Sequence, residues 1–338
     1  MKILIDQNIP FIKGVFEPYA TVEYLPGAAI TSREAADADA LIIRTRTRCD
    51  SSLLYGSRVS MIATATIGFD HIDTGYCAEN GITVARAAGC NAYGVVQYVA
   101  AALIRTGIVP GSNVAVVGVG SVGGALCRTL EAAGFVTLPV DPPRASAEPG
   151  SRFYALNEAL GVVDAVTLHV PLTADGPYKT EKMADDSFFR MMKKGALFIN
   201  SSRGEVVDEG ALKRALDCGT VSQAVIDVWN GEPRIDGGLL RRAAISTPHI
   251  AGYSLQGKAM GTAMAVRAVA EKYGFVELSH WWPDGIEIVD HDTELSWQEI
   301  CDRMADYYDI ERDSRMLKTH PDDFEKLRNE YEYRREFF

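Results

Sequence analysis

Short apolar segments alternate with polar, helix-like stretches over the first part of the chain. The apolar segments are "KILID", "ATVEYL", "ALIIRTR", "VSMIATAT" and "ITVAR", spaced by roughly 15 to 20 residues. This alternation is typical of a parallel β-sheet with helices on its faces. We therefore predict a first α/β domain over residues 1–90.

A second alternating pattern follows a long helix-like run, "NAYGVVQYVAAALIRTG". In "SNVAVVGVGSVGGALCRTLEAAGF" a buried strand passes directly into a Gly-rich turn and a helix, and β-rich segments continue as "VTLPVD", "DAVTLHVPL", "ALFINSS", "QAVIDVW" and "AAISTPHIAG". This pattern predicts a second α/β domain over 91–255. The apolar face of "KAMGTAMAVRAVAEKYG" predicts a helix at about 256–275 that returns to the first domain.

The character of the chain changes beyond about residue 280. From Trp281 to the end there are 17 acidic and 8 basic residues, and "FEKLRNEYEYRREFF" has the spacing of an amphipathic helix. We predict a small α+β module over 280–338 that packs on itself or on a partner chain. The fold class expected for the whole chain is therefore α/β, with two doubly wound, Rossmann-like parallel-sheet domains and this C-terminal module.

Composition narrows the class of protein. The 338 residues are 47% hydrophobic and 23% charged, as in a globular protein, and the net charge of −11 opposes binding to nucleic acids or anionic membranes. The six cysteines form no C-x-x-C pair, so we expect free thiols, no disulfide framework and no metal site. The N-terminal apolar run is far too short for a signal peptide, which favours a cytoplasmic location.

The Gly-rich turn matches the dinucleotide-binding fingerprint. In "GVGSVG", Gly118 permits the tight turn, Gly120 lets the backbone approach a pyrophosphate, and Gly123 allows close packing of the helix on the strand. Asp141 ends the next strand, where its carboxylate is expected to accept the ribose hydroxyls and repel a 2′-phosphate, so NAD is favoured over NADP; Arg144 nearby weakens that preference slightly. We also expect Ser121, Val122 and Val170 to line the cofactor.

Three polar residues follow later strands: Arg203 after "ALFIN", Glu232 after "AVIDVW" and His249 after "AAIST". Ligands collect at the carboxyl ends of strands in an open α/β sheet, so these side chains are expected to converge. An imidazole is suited to take a hydroxyl proton at neutral pH, a carboxylate fixes its tautomer, and a guanidinium binds a carboxylate. We predict that His249 is the acid/base, Glu232 its orienting partner and Arg203 the group that holds a hydroxy acid.

The segments "GVGSVG", "NSSRGEVVDE", "AVIDVWNGEP" and "TPHIAGYS" resemble the D-2-hydroxyacid dehydrogenase superfamily. Others, including "DGPYKT", "IAGYSLQGKAMGT" and "FEKLRNEYEYRREF", are similar to a branch that oxidises a phosphorylated hydroxy acid in pyridoxal 5′-phosphate biosynthesis. The resemblance implies catalytic roles for Arg203, Glu232 and His249 and a homodimer that uses the C-terminal module. It also implies contacts to the cofactor from Ser201, Ser202, Asp227 and Gly252, and to the substrate from Thr45, Thr66 and Tyr253.

A phosphorylated substrate needs further positive charge. Arg44, Arg46 and Arg48 in "RTRTR" share one face if the segment stays extended. Arg44 is our first candidate for the phosphate, and Lys258 is a second option. His71 and His169 are expected to have no part in proton transfer, although His169 is placed close to the cofactor.

Two other functions fit the same residues. One is a D-2-hydroxyacid dehydrogenase that acts on phosphoglycerate or glyoxylate. The other is a non-catalytic, NADH-sensing scaffold, against which the intact set of Arg203, Glu232 and His249 argues.

Overall fold

The computed structural model describes residues 1–291 and 293–338. Its strands are short and mostly buried, as expected for parallel sheets covered on both faces. They are β1 (Lys2–Asp6), β2 (Thr21–Leu25), β3 (Ala40–Ile43), β4 (Met61–Thr64), β5 (Thr83–Arg86), β6 (Asn113–Val117), β7 (Val136–Val140), β8 (Ala165–Leu168), β9 (Ala196–Asn200), β10 (Val221–Ile226) and β11 (Ile245–Ser246).

The helices connect these strands and form the C-terminal part of the chain. They are α1 (Ser32–Ala35), α2 (Ser51–Leu54), α3 (Thr74–Glu79), α4 (Ala92–Thr106), α5 (Ser121–Ala132), α6 (Pro142–Ala147), α7 (Leu156–Leu160), α8 (Asp186–Met191), α9 (Glu209–Asp217), α10 (Gly237–Arg242), α11 (Leu255–Tyr273), α12 (Trp297–Tyr307), α13 (Ile310–Thr319) and α14 (Phe324–Asn329). Short 3₁₀ helices occur at Gly27–Ala29, Gly204–Val206, Val276–Leu278 and Pro321–Asp323. No helix in the described parts of the chain is both long and apolar enough to span a membrane.

The chain divides into two compact units: Met1–Asn91 with Leu255–Ile288, and Ala92–Ser254 with Val289–Phe338. In the first unit the parallel sheet has the strand order β2-β1-β3-β4-β5. The connections change direction between β1 and β3, so the carboxyl ends of these two strands form a switch point at which ligands commonly bind. Asp6 ends β1 and Arg44 follows β3. The long helix α11 packs in this unit, where Val266 and Val269 join a core with Ile3 and Ile42.

In the second unit the parallel sheet has the order β11-β10-β9-β8-β6-β7. Its switch point lies between β6 and β8, directly before the Gly-rich turn. This unit has two apolar clusters, and successive side chains of β6 alternate between them. Val114 and Val116 belong to the first cluster, and Ala115 and Val117 belong to the second. This alternation follows from the two-residue period of a strand.

The C-terminal segment, residues 289–338, contributes to both clusters. Ile300 and Met304 of α12 belong to the first, and Leu317 and Phe324 belong to the second. The expected β-structure of this segment is limited, in the described residues, to an isolated bridge between Ser254 and Arg334. The amphipathic helix expected over "FEKLRNEYEYRREFF" is also corrected, because α14 ends at Asn329 and residues 330–338 are not helical.

Candidate active site

The Gly-rich turn lies at the switch point of the second unit. Gly118 has φ +89°, and a side chain there would approach the carbonyl oxygen of His169 to 2.6 Å. A Cβ at Gly123 would lie 2.0 Å from the carbonyl oxygen of Gly118, so the helix α5 packs directly on the turn. Around Gly120, the residue before α5, no described atom lies within 4 Å of such a Cβ. The turn is therefore tightly packed at Gly118 and Gly123, whereas the space beside Gly120 is open.

The carboxylate of Asp141 ties this turn to α6. Its Oδ2 accepts a hydrogen bond from the Val119 N–H at 2.8 Å, and its Oδ1 accepts one from the Arg144 N–H at 3.1 Å. The Arg144 guanidinium donates to both oxygens of Glu148 at 2.8 Å and to the Val119 carbonyl at 2.6 Å. Because these bonds engage Arg144, it is a weaker partner for a 2′-phosphate than the sequence suggests.

Further predicted cofactor residues follow strands of the same sheet. The Val170 side chain lies against Gly118, where a Cβ would come within 2.9 Å of it, and Ser121 and Val122 form the start of α5. The Ser202 hydroxyl donates to Asn200 Oδ1 at 2.8 Å. The Ser201 hydroxyl is buried and has no hydrogen-bond partner among the described residues. A buried polar atom without a partner and an open glycine beside a helix N-terminus fit a bound dinucleotide.

His249 and Glu232 form a hydrogen-bonded pair. Nδ1 of His249 lies 2.8 Å from Oε2 of Glu232, and the side chains are 29% and 18% exposed. The other carboxylate oxygen, Oε1, accepts the Trp229 N–H at 3.0 Å. Burial acts to raise the pKa of Glu232, but the His249 hydrogen bond and charge, the Trp229 N–H and the Arg328 charge lower it by more. Glu232 is therefore held ionised, which leaves Nε2 of His249 as the nitrogen available for proton transfer.

The loop that carries His249 is fixed by Asp227, which is fully buried at the end of β10. The Asp227 carboxylate accepts hydrogen bonds from the Thr247 hydroxyl at 2.6 Å and from the N–H groups of Ile250 and Ala251 at 2.8 and 3.0 Å. Burial raises the pKa of Asp227. Contact with the cofactor stays a prediction for Asp227, whereas the structure shows that its carboxylate holds the His249 loop.

Arg203 follows β9, next to the loop that carries Glu232. Its Nη1 donates to the Ser202 carbonyl at 2.8 Å, and its own carbonyl accepts from Asn200 Nδ2 at 2.9 Å. Gly204 lies so close to Trp229 that a Cβ would meet the Trp229 carbonyl oxygen at 2.1 Å. The loops after β9 and β10 are therefore in direct contact at Gly204 and Trp229, and the Trp229 N–H binds Glu232.

In the first unit, Arg44 and Asp6 pair at the switch point. Arg44 Nε donates to Asp6 Oδ2 at 3.0 Å; Asp6 is fully buried and the Arg44 side chain is 27% exposed. The segment "RTRTR" does not stay extended, because the chain turns after Arg44 and the Thr47 N–H bonds to the Arg44 carbonyl at 3.3 Å. Arg48 instead pairs with Asp50, and its side chain is 85% exposed. A single basic face with three arginines does not form.

The other predicted substrate residues lie in both units. In the first, Thr45 is exposed in the turn after Arg44, and the Thr66 hydroxyl lies 2.7 Å from that of Thr64 and donates to the Gly68 carbonyl at 3.0 Å. In the second, Tyr253 follows the His249 loop, and its hydroxyl accepts a hydrogen bond from Arg328 at 3.2 Å. Gly252, which was predicted to contact the cofactor, directly precedes it. The predicted substrate set is thus carried by both units.

Three further candidates, namely His169, His71 and Lys258, lie on other segments of the chain than Glu232 and His249. Burial lowers the pKa of His169 to about 3, and its Nε2 lies 2.9 Å from the Thr167 hydroxyl. Burial also lowers the pKa of His71, whose carbonyl accepts the Cys49 N–H at 2.8 Å. Lys258 lies in the first turn of α11 in the first unit. Both histidines are therefore disfavoured as proton carriers at neutral pH.

Two residues at these sites were missed at the sequence level. Asp6 could have been found, because it directly follows the apolar run "ILI" and therefore ends a buried strand. Arg328 lies in "FEKLRNEYEYRREF", and its Nη1 is 3.7 Å from Glu232 Oε2. No local pattern relates it to Glu232, which lies far away in the sequence.

The chain is similar to known proteins along essentially its whole length. Residues 97–251 match the family model described as D-isomer specific 2-hydroxyacid dehydrogenase, NAD binding domain. An erythronate-4-phosphate dehydrogenase from Bacteroides fragilis is 45% identical, over 99% of this chain and 97% of that protein. One from Escherichia coli is 40% identical, over 100% and 92% of the two chains. The crystal structure of D-lactate dehydrogenase from Aquifex aeolicus, complexed with NAD and lactic acid, matches with a TM-score of 0.63 and 22% identity, over 85% of this chain and 100% of that chain.

Proposed function

Because the chain belongs to the D-isomer specific 2-hydroxyacid dehydrogenases, which are NAD-dependent oxidoreductases, we propose that it oxidises 4-phospho-D-erythronate to 3-hydroxy-2-oxo-4-phosphobutanoate. The observation that carries this proposal is the similarity to erythronate-4-phosphate dehydrogenases along essentially the whole chain. A match of that extent includes the C-terminal segment as well as the nucleotide-binding part. The proposal places the reaction in pyridoxal 5′-phosphate biosynthesis.

In the proposed reaction, His249 is the base. Its Nε2 takes the proton of the substrate's 2-hydroxyl group, while Nδ1 remains bonded to Glu232. Glu232 fixes the imidazole tautomer and stabilises the imidazolium that forms. NAD⁺, when bound, would supply the acceptor for the hydride on C2, so that loss of this hydride and of the hydroxyl proton would convert the alcohol into the 2-oxo group.

Arg203 is proposed to bind the substrate carboxylate. A guanidinium can donate two parallel hydrogen bonds to a carboxylate and so fix the orientation of the carbon that reacts. Tyr253, Thr45 and Thr66 supply hydroxyl groups for the remaining polar atoms. The same proposal retains contacts from Ser201, Ser202 and Gly252 to the cofactor.

Arg44 is proposed to bind the substrate phosphate. It is the basic residue at the switch point of the first unit, and its pairing with Asp6 fixes its Nε while its planar fork has further donors. This proposal predicts that Arg44→Ala raises the KM for the phosphorylated acid with a smaller change in kcat. An unchanged KM would remove Arg44 from the substrate site.

Cytoplasmic location and a homodimer formed through the C-terminal segment remain predictions within this proposal. Elution of the purified chain at twice its monomer mass, measured by light scattering, is the expected result for the dimer. A monomer at micromolar concentration would contradict it.

The proposed function is tested by following the absorbance of reduced nicotinamide with a panel of 2-hydroxy acids. We expect kcat/KM for 4-phospho-D-erythronate to exceed that for 3-phosphoglycerate and for glycolate by about 100-fold or more. A preference for phosphoglycerate would assign the chain to another activity within the family. Binding of NAD without turnover of any 2-hydroxy or 2-oxo acid would favour a sensing role.

A further inference from the structure

The helix α14 holds Arg328 next to the acid/base pair. Phe324, at the start of α14, is fully buried in the same apolar cluster as Trp229, and Leu327 packs against that cluster. The Trp229 N–H is one of the groups that bind Glu232. The core that positions Glu232 therefore also fixes the short helix on which Arg328 lies.

Arg328 contacts two residues of the candidate active site. Its Nε donates to the Tyr253 hydroxyl at 3.2 Å, and its Nη1 lies 3.7 Å from Oε2 of Glu232. Oε2 is also the atom that bonds to Nδ1 of His249 at 2.8 Å. One carboxylate oxygen is thus shared by the guanidinium and the imidazole, and the Arg328 and Glu232 side chains are only 17% and 18% exposed.

The charges around His249 compete with one another. The Glu232 carboxylate attracts a positive charge on the imidazole, whereas the nearby Arg328 guanidinium repels one. Burial acts to lower the pKa of Arg328, but Tyr253 and Glu232 raise it by more, so Arg328 stays charged. His249 Nδ1 and Arg328 Nη1 lie 2.8 and 3.7 Å from the same oxygen, so they are at most about 6.5 Å apart, a range at which partly buried charges interact.

We propose that Arg328 is a positioning residue of the acid/base pair, which orients the Tyr253 hydroxyl and favours the neutral form of His249 that takes up the substrate proton. Without this cation, the Glu232 carboxylate would act on the imidazole with no opposing charge at the same oxygen. The C-terminal segment would then serve the reaction directly, in addition to its packing role. This inference rests on the function proposed above, because it concerns the same site.

The test is the titration of His249 in the resting protein, followed by NMR of the imidazole C–H signals. The chain has six histidines, so His249 is assigned by its missing signal in His249→Asn. Arg328→Met removes the charge and keeps an extended apolar side chain, and Arg328→Lys keeps the charge. We expect the midpoint for His249 to rise by about 0.5 pH unit or more in Arg328→Met and to stay within about 0.2 unit in Arg328→Lys.

A matched control is Arg315→Met, which removes a charge from the neighbouring α13, where the Arg315 side chain is 66% exposed. It is expected to leave the His249 midpoint unchanged. If Arg328→Met does not fold, judged by circular dichroism, Arg328→Gln replaces it. An unchanged midpoint in the neutral variant, or equal shifts in the neutral and lysine variants, overturns the proposal.

Kinetics separate this inference from the proposed function. The acidic limb of kcat/KM for 4-phospho-D-erythronate is expected to move to higher pH in Arg328→Met and to be restored by Arg328→Lys. If the parent chain does not oxidise this substrate, the proposed function fails, while the NMR titration still decides the role of Arg328. If the parent chain does oxidise it and neither the limb nor the midpoint moves, only the inference about Arg328 fails.

Discussion

The main-chain carbonyl of Asp227 accepts the N–H of His249 at 2.8 Å, and His249 has φ +59°. This left-handed conformation is unfavourable for a residue with a side chain. It persists because the Asp227 carboxylate also holds the next two N–H groups of the loop. Asp227 therefore determines where the His249 imidazole lies.

We expect Asp227→Asn to lower kcat by about tenfold or more and to reduce the free energy of unfolding by about 1–3 kcal/mol. An amide has one acceptor oxygen, whereas the carboxylate accepts from Thr247, Ile250 and Ala251. Steady-state kinetics and urea denaturation provide the measurements. Asp217→Asn is the matched control, since Asp217 is 60% exposed and pairs with Arg242 at the surface. Equal effects of the two variants would contradict the role given to Asp227.

Glu232→Gln is expected to lower kcat/KM by about 10- to 1,000-fold and to move its acidic limb to lower pH. The sign follows from the charge: loss of the carboxylate removes the group that stabilises the imidazolium of His249, so the imidazole becomes less basic. Glu232→Asp keeps the charge and serves as the comparison. If the acidic limb of kcat/KM moves to higher pH, or does not move, the pairing of Glu232 with His249 in solution is refuted.

Glu148→Gln is expected to increase the use of NADP relative to NAD by about three- to tenfold. Glu148 engages the Arg144 guanidinium through two bonds of 2.8 Å, and its neutralisation leaves Arg144 more available to a 2′-phosphate. Asp141 limits the gain, because its carboxylate remains. The ratio of kcat/KM for the two cofactors measures the effect, with Glu158→Gln on the exposed side of α7 as control. An unchanged ratio would show that Arg144 is not oriented toward the ribose.

The buried carboxyl group of Glu336 is expected to make the free energy of unfolding depend on pH. It is buried beside the Ser254 hydroxyl, the Arg334 guanidinium and His291, and burial raises its pKa to about 7. Between the ordinary glutamate pKa and pH 7, the folded chain holds a proton that the unfolded chain has lost. The contribution of Glu336 to the free energy of unfolding is therefore largest at low pH and decreases as the pH rises toward 7.

Glu336→Gln removes this dependence, because glutamine resembles the protonated acid. The free energy of unfolding of the variant, relative to the parent, is expected to rise by about 2–3 kcal/mol between about pH 4.5 and 7. Chemical denaturation at a series of pH values provides the curve. Glu332→Gln, at an exposed site in the same segment, is expected to leave the parent profile unchanged. Parallel curves for the parent and Glu336→Gln would contradict the raised pKa.

The fold and the pairing of Glu232 with His249 were predictable because they depend on local and topological rules. The apolar runs mark the strands, and the residues that follow "AVIDVW" and "AAIST" had to lie at the carboxyl ends of neighbouring strands. The pairing of Glu232 with His249 is the observed consequence. The Gly-rich turn was identified in the same way, from its position between β6 and α5.

The features that the sequence does not predict depend on contacts between distant parts of the chain. The turn after Arg44 is fixed by Thr47, which is buried and donates to the Gly27 carbonyl at 2.9 Å. The helix α14 is not continued to the end, because the buried Arg334 guanidinium donates to the carbonyls of Gly94 and Ile250 at 2.8 and 3.0 Å. The hydrophobic periodicity of a short segment contains no information on hydrogen-bond partners that lie far away in the sequence.

The central claim is that His249 takes the substrate proton, and the rate of NADH formation by His249→Asn at saturating substrate tests it most directly. We predict a rate about 100- to 10,000-fold below that of the parent chain, with the Kd for NAD within about twofold of the parent value. A rate within about threefold of the parent would contradict the assignment of His249 as the base.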